Sequence, residues 1–423
     1  MKGNNLMSVN QISENIYSVG VLNPALRIFD IVMKTDYGTS YNAYLIKNGK
    51  NNGKTALVET VHARFFGEYL GNIKSILGDT PPDYLIMNHN EPDHSGSVAK
   101  LTEIYPDITV IESKAGAIYL KNIVNKDVKI KTVSDNETLD LGGELDKLKF
   151  IIAPFLHWPD SMFTYFEKDK TLFTCDFLGS HFCEPTVFDY NIKYPKEYES
   201  AFLYYYTAIF EPFKPYVLSG LDKIKDIDVK TACPSHGPVL TDYINYINNI
   251  ECIEYCGRLD YAKKMYAEWS KPHKNETEQI PIFFCSAYRN TEMLASRIKS
   301  GIQEIKTNAD VCIYDINEHD MIVLSQILHS SDAFLIGSPT INRDAVAPVW
   351  NLINTIDAVS MKDRPCAVFG SYGWSGEGCP NLISRLQGLK MKVFGDPCRC
   401  QFIPSETELT AAVEFGREFA RSL

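Results

Sequence analysis

The sequence predicts two α/β domains, a strand-rich domain over residues 1–267 and a doubly wound parallel sheet over residues 280–423. Three observations lead to this prediction. The first part contains many short apolar runs of strand length, the second part alternates such runs with amphipathic segments, and residues 268–279 between them are polar and read as a linker. A chain of 423 residues is also long enough for two domains of ordinary size.

The first domain is predicted to contain strands packed on strands with helices outside them. Strands are predicted at residues 42–46, 55–58, 84–87, 108–111, 150–152, 162–166 and 171–174. Helices are predicted at residues 97–105 and 114–124, and one long helix over Tyr243–Tyr266 is expected to end the domain.

The second domain is predicted to be a parallel sheet of five strands with helices between them. The strands are expected at residues 281–285, 310–314, 333–337, 366–370 and 392–394. Leu294, Ile298 and Ile302 lie four residues apart, which indicates the apolar face of a helix after the first strand. Ser405-Glu-Thr-Glu408 predicts a capping box that opens a final helix reaching about Ala420.

Composition restricts the possible partners. The 42 basic and 53 acidic residues give a net charge of −11, which argues against binding to nucleic acid or to an anionic membrane surface. The first residues lack a signal-peptide pattern, and no apolar run is long enough to span a bilayer, so we expect a soluble cytoplasmic protein.

The 11 cysteines include no C-x-x-C motif and mostly lie in apolar runs, which suggests buried thiols in a reducing compartment. A redox role for the close pairs Cys252/Cys256 and Cys398/Cys400 stays open.

Metal-ligating residue types gather where predicted strands end. Four of them form a cluster directly after the apolar run 84–87, and three more follow later strands or a Pro/Gly-rich turn. A single His or Asp at a strand end is usually a cap or a turn residue, whereas a cluster of this density favours a dinuclear metal site. Four imidazoles and three carboxylates without a cysteine suit iron or manganese better than a structural zinc. The candidate ligands are His89, Glu91, Asp93, His94, His157, Asp176 and His236.

Three loops at the carboxyl ends of strands in the second domain are candidates for cofactor binding. The first opens onto a helix N-terminus and is rich in hydroxyl groups, as expected of a phosphate site. No G-x-G-x-x-G motif with a downstream acid is present, so NAD is not expected here. The candidate cofactor-binding residues are Ser286, Ala287, Tyr288, Arg289, Asn290, Thr291, Pro339, Thr340, Ile341, Asn342, Ser371, Tyr372, Gly373, Trp374, Ser375 and Gly376.

The pattern H-x-E-x-D-H at residues 89–94, followed by His157, Asp176 and His236, resembles the H-x-H-x-D-H motif of the metallo-β-lactamase superfamily, with Glu91 in place of the second histidine. Residues 286–291 resemble the flavodoxin loop T-x-T-G-N-T, with Arg289 at the glycine position. Together these features resemble the flavodiiron proteins (A-type flavoproteins) over essentially the whole chain. The resemblance implies a metallo-β-lactamase-like αββα sandwich followed by a flavodoxin-like five-stranded sheet.

The resemblance also implies the cofactors, which are two non-haem iron ions and FMN. One iron would be held by His89, Glu91 and His157, the other by Asp93, His94 and His236, and Asp176 would bridge them, with no catalytic residue beyond these ligands. The position of His94 varies in that family between ligand and non-ligand poses. A Glu in place of a His adds charge and a hard oxygen donor, which favours iron and disfavours a zinc hydrolase.

Tyr372 or Trp374 would stack on the flavin, with ordinary packing as the alternative for Trp374. Trp158 and His181 flank the ligand strands, and their roles stay open between pocket and packing or turn.

The expected activity is four-electron reduction of O2 to water at the diiron site fed by FMN. O2 is preferred because reduced cysteines fit a low-redox cytoplasm in which oxygen is scavenged. Reduction of NO to N2O by the same centres is the main alternative. A dinuclear metal hydrolase and an electron-transfer flavodoxin with a docking scaffold are weaker ones.

Partners are inferred in the same way. A separate electron donor is expected, either a rubredoxin-like protein, a flavoprotein reductase or a reduced deazaflavin. The resemblance implies a head-to-tail homodimer, or a homotetramer, in which each flavin serves the irons of its partner.

Overall fold

A computed structural model describes residues 9–47, 53–142, 146–243, 246–247, 250–251, 257–272 and 274–423. The chain divides into two compact units, Met1–Lys271 and Pro272–Leu423. The domain and linker bounds expected from the sequence stay a prediction.

The first unit contains many short strands and a smaller number of helices. The strands are β1 (Asn10–Gln11), β2 (Ile16–Ser18), β3 (Val21–Asn23), β4 (Ile28–Phe29), β5 (Met33–Lys34), β6 (Thr39–Tyr41), β7 (Tyr44–Lys47), β8 (Thr55–Val58), β9 (Tyr84–Met87), β10 (Thr109–Ser113), β11 (Ile130–Val133), β12 (Thr138–Asp140), β13 (Lys147–Ile152), β14 (Met162–Phe166), β15 (Thr171–Cys175), β16 (Thr231–Pro234), β17 (Leu240–Thr241), β18 (Tyr246–Ile247) and β19 (Ile250–Glu251). The helices are α1 (Phe66–Leu77), α2 (Pro92–Ser95), α3 (Val98–Ile104), α4 (Lys114–Val124), α5 (Pro195–Tyr205), α6 (Lys214–Ile224) and α7 (Leu259–Trp269).

Two sheets form the centre of this unit. One has the order β1-β2-β7-β8-β9-β10-β11 and the other the order β12-β13-β14-β15-β16-β17. Apolar side chains from both sheets form a common buried cluster, for example Ile46 and Ile86 from the first with Phe150 and Phe166 from the second. Helices cover the outer faces, as Tyr69 of α1 shows. The layers are therefore helix, sheet, sheet, helix, and the predicted αββα sandwich is confirmed.

The loops that carry the candidate ligands leave the carboxyl ends of strands. The cluster at residues 89–94 follows β9, His157 follows β13, Asp176 directly follows β15 and His236 follows β16. Because β15 and β16 run parallel, Asp176 and His236 leave the second sheet at the same edge. Each candidate ligand therefore lies in a polar segment that directly follows an apolar strand, and this order in the sequence places the ligands at strand ends.

The predicted helix over Tyr243–Tyr266 is wrong in its first part. Residues 246–247 and 250–251 pair as the antiparallel strands β18 and β19, and α7 begins only at Leu259. Gly257 lies so close to the Thr241 carbonyl that a Cβ would overlap it, so a side chain does not fit at this position just before the helix. Apolar spacing alone could not separate a hairpin from a helix here. Cys252 and Cys256 lie outside the described residues.

The second unit contains a parallel sheet flanked by helices. The strands are β20 (Ile282–Phe284), β21 (Ile313–Asp315), β22 (Phe334–Ile341), β23 (Asp344–Ala345), β24 (Pro365–Tyr372), β25 (Lys392–Val393) and β26 (Cys398–Gln401). The helices are α8 (Asn290–Ile305), α9 (Met321–Ser330), α10 (Ala347–Ile353), α11 (Gly378–Gly388) and α12 (Glu406–Ser422).

The sheet order is β21-β20-β22-β24-β25, and all four of these pairings are parallel. The segment β26 also pairs with β24, so the position of the fifth strand is filled by two short pieces, the second of which the sequence reading missed. Apolar clusters lie on both faces of the sheet. The predicted doubly wound, flavodoxin-like sheet is confirmed.

Helices α8 and α12 pack closely because glycines face the neighbouring backbone. A Cβ on Gly416 of α12 would overlap the carbonyl of Ile298, and a Cβ on Gly301 of α8 would overlap that of Val413. The predicted capping box forms at the start of α12, where Ser405 and Glu408 satisfy each other's backbone N–H groups.

Among the described residues, no helix combines the length and hydrophobicity needed to cross a bilayer. Nine cysteines lie in the described part of the chain, and all of them are free thiols.

Candidate functional site

The seven candidate ligands lie together in the first unit. Six are buried and His157 is half-buried. They are arranged around Asp176, whose two carboxylate oxygens face different groups of residues. The site therefore has two halves with one shared side chain.

The first half lies at Asp176 Oδ2. The Nε2 atom of His157 is 3.0 Å from this oxygen, and that of His89 is 3.7 Å from it. Glu91 Oε2 is 3.1 Å from the Nε2 atoms of both histidines. His89 and His157 thus both contact Glu91 Oε2 and face Asp176 Oδ2, and His94 also lies within 4.8 Å of the ligand atoms of His89, Glu91 and Asp176.

The second half lies at Asp176 Oδ1. The Nε2 atoms of His94 and His236 are 3.1 Å and 3.5 Å from this oxygen. Asp93 contacts His236 through Oδ2 at 3.0 Å and His94 through Oδ1 at 3.4 Å. The second half thus also contains two imidazoles, His94 and His236, and two carboxylates, Asp93 and Asp176.

The donor set fits two iron ions. Several buried ligand atoms in the site lie 3.0–3.5 Å from a neighbouring ligand without hydrogen-bond geometry, and they have no hydrogen bond to another described residue; among them are both carboxylate oxygens of Asp93, Nε2 of His94 and Oδ1 of Asp176. Unpaired buried polar atoms are costly, and coordination to a cation is a common way to satisfy them. Hard carboxylate donors mixed with imidazoles suit iron.

The carboxylates of the site favour the protonated form of a neighbouring ligand histidine. Burial alone would lower the pKa of His94, but Asp93 and Asp176 outweigh it and raise this pKa to about 10. Burial opposes the charged form of Asp176 as well, yet the neighbouring His94, His157 and His236 hold its pKa well below its usual range. Because metals bind the deprotonated imidazole, metal loading must release these protons.

Residues that sequence reasoning missed hold two ligand imidazoles in place. Asp160 Oδ1 accepts from His89 Nδ1 at 3.3 Å, and its Oδ2 accepts from the backbone N–H of Asn90 at 2.9 Å. The carbonyl of Ser40 accepts from His236 Nδ1 at 2.6 Å. In both cases the ring is fixed with Nε2 towards the site. Asp160 lies three residues after His157, which is the only signal the sequence offered.

Other polar groups surround the site. Burial raises the pKa of Glu59 to about 7, and its Oε1 accepts from the Asn88 N–H at 2.9 Å. Partial burial and a hydrogen bond with Glu91 raise the pKa of Asp30 to about 6. Glu59 and Asp30 lie before the ligand cluster in the chain, and no sequence pattern identified them.

Aromatic rings pack against the ligands. The Trp158 ring lies edge-on to His89 with centroids 5.0 Å apart, and the His181 ring lies 4.9 Å from His236. His181 Nδ1 is also 2.8 Å from Thr39 Oγ1. Both residues that the sequence left open therefore contact ligand imidazoles.

In the second unit, the segment Ser286–Thr291 connects β20 to α8. Arg289 adopts a left-handed conformation with φ of 65° and caps the helix, so the arginine has the backbone shape that glycine favours. Ser286 Oγ is buried and has no hydrogen-bond partner among the described residues. A hydroxyl without a partner beside a helix N-terminus fits a phosphate group.

The other two cofactor segments lie at the ends of β22 and β24. The strand β22 continues through Ile341, so Pro339, Thr340 and Ile341 are part of a strand rather than of a loop. Ser371 Oγ hydrogen-bonds Thr291 Oγ1 at 2.9 Å, which joins the first and third segments. Trp374 is 97% exposed, so it does not pack within this unit and is available to a flavin ring.

Two known families match the two units. Residues 39–237 match the family described as ODP family beta lactamase, and residues 282–416 match flavodoxin. With the geometry above, these matches define the class as a lactamase-like metal-binding domain joined to a flavodoxin-like domain.

Relatives match nearly the whole chain. The flavo-diiron protein FprA2 of Clostridium acetobutylicum is 54% identical over 415 residues, which are 98% of this chain and 99% of that protein. The anaerobic nitric oxide reductase flavorubredoxin of Aeromonas hydrophila subsp. hydrophila is 30% identical over 97% of this chain and 79% of its own length. The solved rubredoxin oxygen:oxidoreductase of Desulfovibrio gigas is 25% identical, covers 98% of both chains and has a TM-score of 0.65.

The chain belongs to the flavodiiron protein family. It is an oxidoreductase whose cofactors are FMN and two iron ions.

Proposed function

We propose that this chain reduces O2 to water at its diiron centre with electrons delivered through FMN. The observation that carries the proposal is the two-sided arrangement around Asp176, in which two imidazoles face each of its oxygens and one further carboxylate contacts each pair of imidazoles. Two metal ions held on the two sides of Asp176 would supply a site at which a diatomic molecule is bound and reduced.

We assign the ligands according to this geometry. His89, Glu91 and His157 would hold one iron, and Asp93, His94 and His236 would hold the other. Asp176 would be shared by the two groups, because each of its oxygens faces one of them.

When bound, the two irons and FMN would supply the four electrons that reduction of O2 to two water molecules requires. The residues of the chain position and insulate this chemistry. Asp160 and the Ser40 carbonyl fix the rings of His89 and His236. The edge of Trp158 packs against His89 and limits access of water from that side.

We propose that FMN binds to the segments Ser286–Thr291, 339–342 and 371–376. These segments leave the carboxyl ends of β20, β22 and β24, where doubly wound sheets bind their ligands. The unpaired Ser286 hydroxyl would receive the phosphate, and the exposed Trp374 would cover the ring system.

The names of relatives of this chain mention both O2 and NO, so NO is the second candidate substrate. One is named an oxygen oxidoreductase and another a nitric oxide reductase. We favour O2 because the described cysteines are all free thiols, as expected in a reducing cytoplasm where oxygen is removed.

The proposal includes a partner for each electron-transfer step. A rubredoxin-like protein, a flavoprotein reductase or a reduced deazaflavin would donate electrons to FMN. A head-to-tail homodimer, or a homotetramer built from it, would bring each flavin to the irons of the neighbouring subunit. Light scattering checks this part, since a fully active monomer would contradict it.

The substrate is tested with the anaerobically reduced holoenzyme, whose O2 and NO consumption is measured side by side. We expect O2 to be consumed faster, with water rather than peroxide as the product. Comparable rates would remove the claim of selectivity, and faster NO consumption would reverse it.

The same assay on Asp176→Ala provides the control for the metal centre. We expect this variant to lose gas consumption while its FMN is still reduced. Undiminished consumption would instead support an electron-transfer flavoprotein, and two zinc ions per chain without iron would support a hydrolase.

A further inference from the structure

Arg289 places a positively charged side chain at the start of α8, in a backbone conformation that is unusual for a residue other than glycine. Its φ of 65° and ψ of 2° lie in the left-handed region, which is unfavourable for a residue with a Cβ and easy for glycine. The side chain is 82% exposed and points away from the core. The unfavourable backbone conformation is therefore not offset by burial of the Arg289 side chain.

Arg289 forms a two-pronged ion pair with Glu292 in the first turn of the same helix. Its Nε and Nη2 groups donate to the two carboxylate oxygens at 3.0 Å and 3.1 Å. A guanidinium has five N–H donors, so three remain beyond this pair. Glu292 thus fixes the orientation of the guanidinium group and leaves three of its N–H groups available to another acceptor.

The surroundings of the fork are suited to an anion. The first N–H groups of α8 have no acceptor within the helix, and the helix dipole adds partial positive charge at this end. Ser286 Oγ, in the same segment, is buried and finds no hydrogen-bond partner in the described part of the chain. Glu292 is the unfavourable element, since a carboxylate near a phosphate dianion repels it unless a cation lies between them.

We propose that Arg289 determines the choice of flavin by binding the phosphate of FMN through the N–H groups that Glu292 leaves free. Riboflavin, which has the same ring system but no phosphate, would gain nothing from this contact. Arg289 also screens the phosphate from Glu292, so the two residues act as a unit. The inference rests on the proposed placement of FMN at these segments, and it does not depend on which gas is reduced.

The test measures dissociation constants of FMN and riboflavin for the deflavinated full-length chain, followed by quenching of flavin fluorescence. Arg289→Gly suits the backbone conformation, so the loop should keep its shape. We expect FMN binding to weaken about 10- to 100-fold, as for loss of charge-assisted hydrogen bonds, and riboflavin binding to change less than about twofold. The dependence of FMN binding on salt concentration should also become weaker.

Lys390→Gly is a matched control in the same unit. Lys390 has a φ of 63°, is exposed, and lies two residues before Lys392, which pairs with Pro365 at the amino end of β24, opposite to the carboxyl ends that carry the three segments. This variant removes one positive charge from the same backbone conformation away from the proposed FMN site. The ratio of FMN to riboflavin affinity should stay within about twofold of the wild-type value.

Glu292→Gln tests whether the two residues act as a unit. We expect this variant to bind FMN at least as tightly as the wild type, because a repulsive charge is removed. Arg289→Gly should cost less FMN affinity in the E292Q background than alone.

Two results would overturn the inference. One is an FMN-to-riboflavin ratio in Arg289→Gly within about twofold of the wild type. The other is an equal loss of affinity for both flavins, which would mean that Arg289 only shapes the loop. Arg289→Lys keeps the charge but not the fork, and it should give an intermediate ratio.

Discussion

Removal of the Asp160 carboxylate should weaken both the fold and the metal centre. Asp160 is 2% exposed and accepts hydrogen bonds from His89 Nδ1 and from the backbone N–H of Asn90. In Asp160→Ala these two buried donors lose their acceptor. The Asn90 side-chain amide is less affected, because it also donates to Glu112 at 2.8 Å.

The size of the effect follows from these contacts. A buried donor without an acceptor costs about 1–3 kcal/mol, so two of them should lower the free energy of unfolding of the metal-free protein by about 2–6 kcal/mol. His89 would also be free to rotate, and loss of such a supporting carboxylate typically weakens metal binding about 10- to 100-fold.

Urea denaturation of the metal-free protein measures the first effect, and competition for iron with a chelator measures the second. Asp189→Ala is the matched control, since Asp189 is also 2% exposed and accepts several hydrogen bonds, but from Tyr190, Thr241 and Arg258 rather than from a metal ligand. It should lose stability and keep its iron affinity. Unchanged iron affinity in Asp160→Ala would refute the argued role of this carboxylate.

Three further predictions follow from the same structure. Glu91→His should raise the ratio of zinc to iron in protein grown with both metals, because it replaces a hard oxygen donor by an imidazole; an unchanged ratio in elemental analysis would contradict this. In the metal-free protein, Glu59 has a pKa of about 7 against 4.5 for an ordinary glutamate, chiefly because it is buried, so the folded state keeps a proton that the unfolded state loses. Stability should therefore fall by roughly 1.4 kcal/mol per pH unit as pH rises from about 4.5 to 7, and Glu59→Gln should remove this slope in urea titrations; parallel slopes would show that Glu59 is not the cause. Gly416→Ala should destabilise the flavodoxin-like unit by about 1–3 kcal/mol, since its Cβ would overlap the Ile298 carbonyl, whereas Gly388→Ala, which has free space around it, should not; thermal melts of the two variants side by side decide this.

The secondary structure was predictable where local signals agreed with burial. Helix α4 has the predicted bounds, Lys114–Val124, because Ser113 caps its start and the apolar spacing continues to its end. The capping box at Ser405 likewise identified α12. The region before Leu259 was mispredicted because apolar spacing fits a helix and a hairpin equally well, and only strand pairing separates them.

The segments proposed to bind FMN show a different limit of prediction from the sequence. The three segments proposed to bind FMN were predicted from their positions after strands, because parallel strands direct their carboxyl ends to one edge of a sheet. That β22 continues through Ile341 was not predictable, since it depends on the pairing of this segment with β24 and with Asp344–Ala345.

By itself, the sequence determined the chemistry of the metal centre, because the types and order of the seven ligand candidates are local properties of the chain. Their spacing could not show that Asp176 turns one oxygen to each half of the site, nor that Asp160 and Ser40 orient the histidines. Those contacts join residues far apart in the chain, and they exist only because two sheets bring their loops to one edge. The types of these residues therefore favoured iron or manganese over a structural zinc, and the tertiary structure decided how the donor atoms are arranged relative to one another.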